Sequence, residues 1–373
     1  MIKKLLLCIF VIFLVCPQRV MASESKTLVE PALRSIGIEE ISSDISEITD
    51  GEMDFYAIVK SLVSGDFNEI KEAFLNGIKN ALLGEVNTHF KTMKRLVVIA
   101  LLGALLKIFS SGFSSKAVGE LGFYVCYIVI ITIITASFSE EALIVSETAS
   151  KILDITQVML AAFVSIALAS GNIAQFSVTG PIIIGASGII TSIISSFILP
   201  AITLATTFGM INCISEKNIL TKFSELMKDG MSWILKGSAY IFMAVVSLCR
   251  FGTPAFGKLA DRAAKTAIGV IPVVGNVLNG AFLTAAELSK TVGSSMGVAA
   301  IIFVVAVCIT PVLKLSVFIL LYKLTAALIE PICEERIIKC LGVAADFSIM
   351  LLGALVTVIT MFVFSVIIMM TLA

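Results

Sequence analysis

Seven stretches of this chain are long and apolar enough to cross a hydrocarbon layer: 96–113, 118–138, 152–170, 178–211, 233–252, 297–329 and 347–372. A bilayer core about 30 Å thick is spanned by about 20 helical residues. The expected fold class is therefore all-α: a polytopic helical membrane protein of about seven transmembrane helices. Composition agrees, with 58% of the residues apolar and only 14% charged. Mean hydropathy is +1.04. Such values exclude a soluble cytosolic enzyme, a nucleic-acid-binding domain and a disordered regulator. Lys plus Arg and Asp plus Glu both number 27, so no global field draws a charged partner.

Two of the runs are too long for one perpendicular span. Residues 178–211 contain Pro200, and 297–329 contain Pro311. A helix of about 33 residues is about 50 Å long. Each long run is expected to be Pro-broken, either a kinked span or a hairpin of two short helices, which allows eight or nine spans as well as seven. Each is followed by a charged amphipathic stretch (215–232 and 330–346) and then by another span. The shared layout is compatible with a degenerate internal repeat, but the proline offsets differ and the two halves share no residue motif.

The start of the chain reads as an export signal. Lys3 and Lys4 precede the apolar run Leu5 to Cys16, Pro17 ends it, and Val20-Met21-Ala22 fits a cleavage site. The domain reading is a signal peptide at 1–22, an extracytoplasmic segment at 23–95 and a transmembrane domain at 96–373. In the middle segment Phe55, Tyr56, Val59, Leu62 and Val63, then Phe67, Ile70, Phe74, Ile78 and Leu82, recur at helical spacing. Residues 23–90 hold 13 acids and 5 bases, so the outer surface of these helices is acidic. Their apolar faces are too small to form a core alone, and a partner or self-association is expected to cover them, slightly ahead of packing on the membrane body.

Orientation is contradictory on sequence alone. An exported start and seven spans leave the C-terminus in the cytoplasm. Lys91, Lys94, Arg95, Lys217, Lys222, Lys228 and Lys236 then fall outside, against the positive-inside tendency.

Residues that carry chemistry are few. The eight cysteines form no CxxC pattern, and the segment 23–95 holds none. Gly185-Ala186-Ser187-Gly188 matches a rhomboid-protease GxSG, but a serine nucleophile needs a base, and the single histidine is His89 before the first run. No Walker A loop and no HExxH occur, so no enzyme activity and no cofactor or metal are expected. Among intramembrane charges Lys314 stands out, one turn after the Thr310-Pro311 break. Ser187, Thr191 and Ser195 form a small, hydroxyl-bearing ridge suited to close helix packing, with Gly188, Ser192 and Ser196 beside it.

The stretch 253–290 is the most distinctive. Lys258, Asp261, Arg262 and Lys265 share one helical face opposite Phe256, Leu259, Ala263 and Ala267, as in a surface-lying helix. Residues 268–286 are apolar but punctuated by Gly269, Pro272, Gly275, Asn276, Asn279 and Gly280. A re-entrant element or a surface loop fits them. The candidate assembly or pore element is therefore Lys258, Asp261, Arg262, Lys265, Pro272, Gly275 and Asn276, with Lys314.

The run from Asp261-Arg262-Ala263-Ala264-Lys265 to Ile271-Pro272-Val273-Val274-Gly275, within a signal-plus-polytopic layout, resembles the stage III sporulation protein AE family of endospore-forming bacteria. The resemblance implies a multi-pass protein of the mother-cell membrane around the forespore. It implies partners among the other stage III operon proteins, including a secretion-type ATPase and ring-forming proteins, and a forespore membrane protein. It also implies a channel or feeding-tube role that maintains the forespore and supports late forespore gene expression. It supplies no catalytic residues. Homo- or hetero-oligomers in a lipid bilayer are expected, and no nucleic acid. The alternative is an autonomous secondary transporter with its site at the broken helices near Pro200 and Pro311.

Overall fold

The computed structural model describes residues 38–49, 55–64, 90–106, 108–109, 116–170, 173–214, 221–268 and 275–372. The signal at 1–22 and the helical stretch Phe67 to Leu82 lie outside these residues. Every regular element described is helical. Helices α1 (Ile38–Ile48) and α2 (Phe55–Ser64) precede α3, residues 90–106. Next come α4 (Lys116–Ser170), α5 (Ile173–Ile193), a π-turn (Ile194–Ile198) and α6 (Leu199–Ile214). The chain continues through α7 (Thr221–Ile268), α8 (Gly275–Ile329) and α9 (Glu335–Leu372).

Among the described residues, five helical segments are long and apolar enough to cross a membrane: Leu121–Leu168, Val178–Cys213, Lys222–Cys249, Met296–Ile329 and Glu335–Thr371. The sequence count of seven is not reproduced, for two reasons. The runs 118–138 and 152–170 belong to one unbroken helix of 55 residues, α4. Its middle, 139–151, contains no Gly or Pro and carries Ala, Glu and Leu, all good helix formers. The charges there lie along one continuous helix and do not mark a connector. The remaining run, 96–113, is described only at 96–106 and 108–109, so it does not enter this count.

Neither long run is a hairpin. Pro200 has no N–H, and its ring presses on the carbonyl four residues back. The chain meets this with the π-turn just before it, where Leu199 N–H donates to Ile194 O. A π-turn widens the coil by one residue and lets the helix continue. Helix α8 runs through Pro311 without interruption. The charged stretches after each long run are not separate either. Residues 221–232 open α7, and 335–346 open α9.

Helix α9 is the hub, packed against α4, α5, α6, α7 and α8. Around it the apolar interior divides in two. One cluster joins Phe138–Ala167 of α4, Ile183–Ala205 of α5 and α6, Met231–Val246 of α7, Met296–Leu315 of α8 and Phe347–Met369 of α9. The other joins Leu96 and Ala100 of α3, Phe123–Ile134 of α4, Met210, Phe318–Ile329 of α8 and Ile337–Ala345 of α9. The first cluster is about 30 Å tall along α8 and about 35 Å along α9 at 1.5 Å per residue. Along α4 it reaches about 44 Å, from Phe138 to Ala167.

Lipid is as apolar as leucine, so helices in it are held by close packing of small residues. A Cβ at Gly180 meets Leu160 Cδ1 at 2.7 Å, where α5 lies on α4. A Cβ at Gly209 meets Val343 Cγ1 of α9 at 2.8 Å and Ser224 Oγ of α7 at 3.2 Å. Gly297 of α8 faces Met370 of α9. Ser187 and Thr191 are buried, whereas Ser192 and Ser196 on the neighbouring ridge are exposed. Only the first ridge packs inward.

The N-terminal helices depart from expectation. Their apolar faces pack on the bundle itself, α1 on α4 and α2 on α8. Ile38, Ile41 and Ile45 of α1 and Phe55, Ile58 and Val59 of α2 are buried in the first cluster. The Phe55 ring meets Phe303 edge-on at 5.6 Å between centroids. Tyr56 N–H donates to Ser42 Oγ at 3.3 Å, tying α2 to α1. Glu39, Glu40, Asp44 and Glu47 face outward.

Candidate functional site

The two apolar clusters meet at a polar layer. Glu141 of α4 is fully buried, the one buried acidic or basic side chain among the described residues. Tyr322 of α8, itself buried, donates its hydroxyl to Glu141 Oε1 at 3.0 Å. Ser348 of α9, also fully buried, lies beside the same carboxyl. Neither Glu141 Oε2 nor Ser348 Oγ has a partner in hydrogen-bonding geometry. Three helices thus converge on one carboxyl. The neighbouring Glu140 and Glu147 are exposed.

On the outside of the same layer Lys228 of α7 and Asp346 of α9 form an ion pair of 2.6 Å. Their side chains are 42% and 52% exposed. Exposed pairs contribute little, about 0–1 kcal/mol. Lys228→Ala is accordingly expected to lower the melting temperature in detergent by no more than a few degrees, and less at high salt. A larger loss would show that the pair holds α7 to α9.

Below the layer Tyr127 donates its hydroxyl to Met210 O at 3.1 Å, anchoring the end of α6 to α4. Cys333, in the turn between α8 and α9, donates its thiol to Ala100 O of α3 at 3.4 Å. Burial pushes that thiol's pKa up. The cysteines described are free, and the most buried, Cys308 and Cys340, pack as small apolar groups.

Most other buried hydroxyls satisfy themselves. Thr148, Thr156, Ser187, Thr206, Thr325 and Ser365 each donate to the carbonyl four residues back on their own helix. Ser187 Oγ also lies 3.5 Å from Ser365 Oγ, beside a small cleft edged by Thr156, Thr191 and Phe362. Its nearest polar groups are hydroxyls and a carbonyl, which cannot serve as the base of a serine nucleophile. His89 lies outside the described residues. Among the described residues no cluster of His, Cys, Asp and Glu could hold a metal ion.

The sequence-derived element 253–290 is not brought together with this layer. Lys258, Asp261, Arg262 and Lys265 lie in the C-terminal extension of α7, continuous with its spanning part. Their side chains lie outside the described residues, as does Pro272. Gly275 and Asn276 open α8, so 275–286 begins a 55-residue helix. Lys314 is half-buried on α8, three residues after Pro311. Sequence reasoning missed Glu141 because it falls between the apolar runs 118–138 and 152–170. The signal was there: Ile134, Phe138, Glu141 and Val145 continue one buried stripe at steps of three and four residues.

Five described helical segments long and apolar enough to cross a membrane define the class, helical proteins of membrane character. The particular family follows from comparison: residues 53–373 match the family described as Stage III sporulation protein AE (spore_III_AE), and the chain belongs to it. It is similar to Stage III sporulation protein AE of Bacillus subtilis (strain 168), with 21% identity over 310 residues covering 83% of this chain and 78% of the relative. No solved structure matches it.

Proposed function

We propose that this chain is a membrane subunit of a transenvelope channel complex between mother cell and forespore, built with other stage III sporulation proteins. The observation that carries this reading is the family match over residues 53–373, which takes in every described helix except α1. The complex would maintain the forespore and support its late gene expression. Any energy would come from a partner such as a secretion-type ATPase. Ring-forming proteins and a forespore membrane protein would complete the assembly. A transporter would use helices broken at the midplane. The continuity of α8 through Pro311, and of α5 to α6 past Pro200, gives that alternative less support.

In this reading the first apolar cluster lies in the mother-cell membrane. The acidic α1 and α2, which pack beside Phe303, and the end of α9 at Met370 face the intermembrane space. The polar layer and the turn at 330–334 face the cytoplasm. Lys91, Lys94, Arg95, Lys222, Lys228, Lys323 and Lys339 then lie at or beyond the cytoplasmic boundary. With α1 and α2 outside, this placement requires the chain between Ser64 and Phe90 to cross the membrane as well. With accessible native cysteines replaced, Asp44→Cys is expected to react with a membrane-impermeant maleimide added to intact cells, and Glu330→Cys only after lysis. The reverse pattern contradicts this placement.

The functional test is an in-frame deletion in the native host. Sporulation is expected to stop after engulfment, with heat-resistant spores reduced by orders of magnitude and restored by the intact gene. Normal spore yield in the deletion strain would sink the proposal.

A further inference from the structure

We propose that Glu141 is a proton-binding site: the proton sits on Oε2, and the neutral acid clasps α4, α8 and α9 together. This inference rests on the geometry of the polar layer and not on the sporulation reading. Tyr322 O–H already donates to Oε1 at 3.0 Å. Oε2 and the adjacent Ser348 Oγ are each left without a partner. A carboxylate only accepts hydrogen bonds, whereas a carboxylic acid also donates one. Ser348 O–H can donate to Oε2 in either state; what favours the proton is burial, because no basic side chain stands beside this carboxyl among the described residues. All three side chains are buried, and unmet hydrogen-bonding groups are costly there.

The surroundings favour a proton over a metal ion. The titratable groups facing Glu141 are Tyr322 from α8 and Glu140 from its own helix, and α9 presents the neutral Ser348 hydroxyl. Ser137 of α4 lies beside Tyr322. A hard cation such as Ca²⁺ needs about six to eight oxygens, and no cluster of acids gathers here. Release of the proton would leave an uncompensated charge among three packed helices. Water must then enter, or the helices must separate. The site therefore works as a proton-dependent latch within the polar layer.

Infrared spectroscopy of the full-length protein in lipid vesicles at neutral pH tests this. The carbonyl stretch of a protonated carboxylic acid is expected, shifted by carboxyl-¹³C glutamate but not by labelled aspartate. Glu141→Gln should abolish it. Tyr322→Phe should move it to higher frequency, because the hydrogen bond to that carbonyl is gone. A purely structural glutamate would not give this last signature. If Glu141→Gln fails to fold, the isotope shift and the Tyr322→Phe displacement decide the matter. Absence of a protonated carboxyl band in the unsubstituted protein, or a band indifferent to Tyr322→Phe, overturns the proposal.

Discussion

Phe55→Ala is expected to release α1 and α2 from the bundle while leaving the remaining helices assembled. The two helices have 11 and 10 residues. Isolated helices that short are marginal in water, so both depend on docking. Phe55 is the largest buried side chain of the pair and stands edge-on to Phe303. Truncating a buried phenylalanine costs about 3–5 kcal/mol. That raises the undocked population by more than about a hundredfold. Ile45→Asp should do the same by putting an unpaired charge against α4. Limited proteolysis of the purified protein reads the result: rapid cleavage within 38–64 in both variants, with the bundle fragment retained. Asp44→Ala, on the exposed face, should cleave like the unsubstituted protein. Equal resistance of Phe55→Ala would mean that this docking does not hold the segment.

Gly209→Ala is expected to be the most damaging single-methyl addition in the bundle for which the neighbours are rigid. The new Cβ falls 2.8 Å from Val343 Cγ1, 3.2 Å from Ser224 Oγ and 3.7 Å from Phe347 Cε2. Val343 is β-branched, with little rotamer freedom in a helix. It cannot swing aside as the Met370 side chain can beside Gly297. Relief requires α6 to move from α7 and α9 together. Overpacking of this kind costs about 1–3 kcal/mol, and Gly209→Leu should cost more. Gly188→Ala is the control, since nothing lies within 4 Å of its added Cβ. A helical Gly-to-Ala exchange in open space is expected to be neutral or to stabilise by up to about 1 kcal/mol. The fraction remaining monodisperse after heating in detergent separates the two. Similar curves for both variants would contradict the close approach of α6 to α9.

Part of this structure was legible in the sequence. The all-helical membrane class followed from the apolar runs, and the amphipathic face of α2 followed from the spacing of Phe55, Tyr56, Val59, Leu62 and Val63, whereas α1 at Ile38–Ile48 was not read from the sequence. What covers those faces did not follow. Phe303 lies almost 250 residues from Phe55, and periodicity carries no information about such pairings. The length of α4 was masked by Glu140, Glu141, Glu147 and Lys151, which resemble a polar connector by count. Their placement around the helix matters more: Glu140 and Glu147 are exposed, and Glu141 continues the buried stripe. Pro200 correctly marked an irregularity, yet its outcome was a π-turn. One inserted residue answers a missing N–H more cheaply than a broken helix in lipid, where freed carbonyls lack water.

The central claim is membership in a membrane assembly, and affinity purification tests it most directly. The tagged, full-length protein would be isolated from sporulating cells in a mild detergent, and its companions identified by mass spectrometry. The account predicts recovery of the secretion-type ATPase and ring-forming stage III proteins, with weaker recovery for Phe55→Ala if the docked N-terminal helices form part of the contact. Recovery of this chain alone, under conditions that preserve another membrane complex from the same cells, would contradict it.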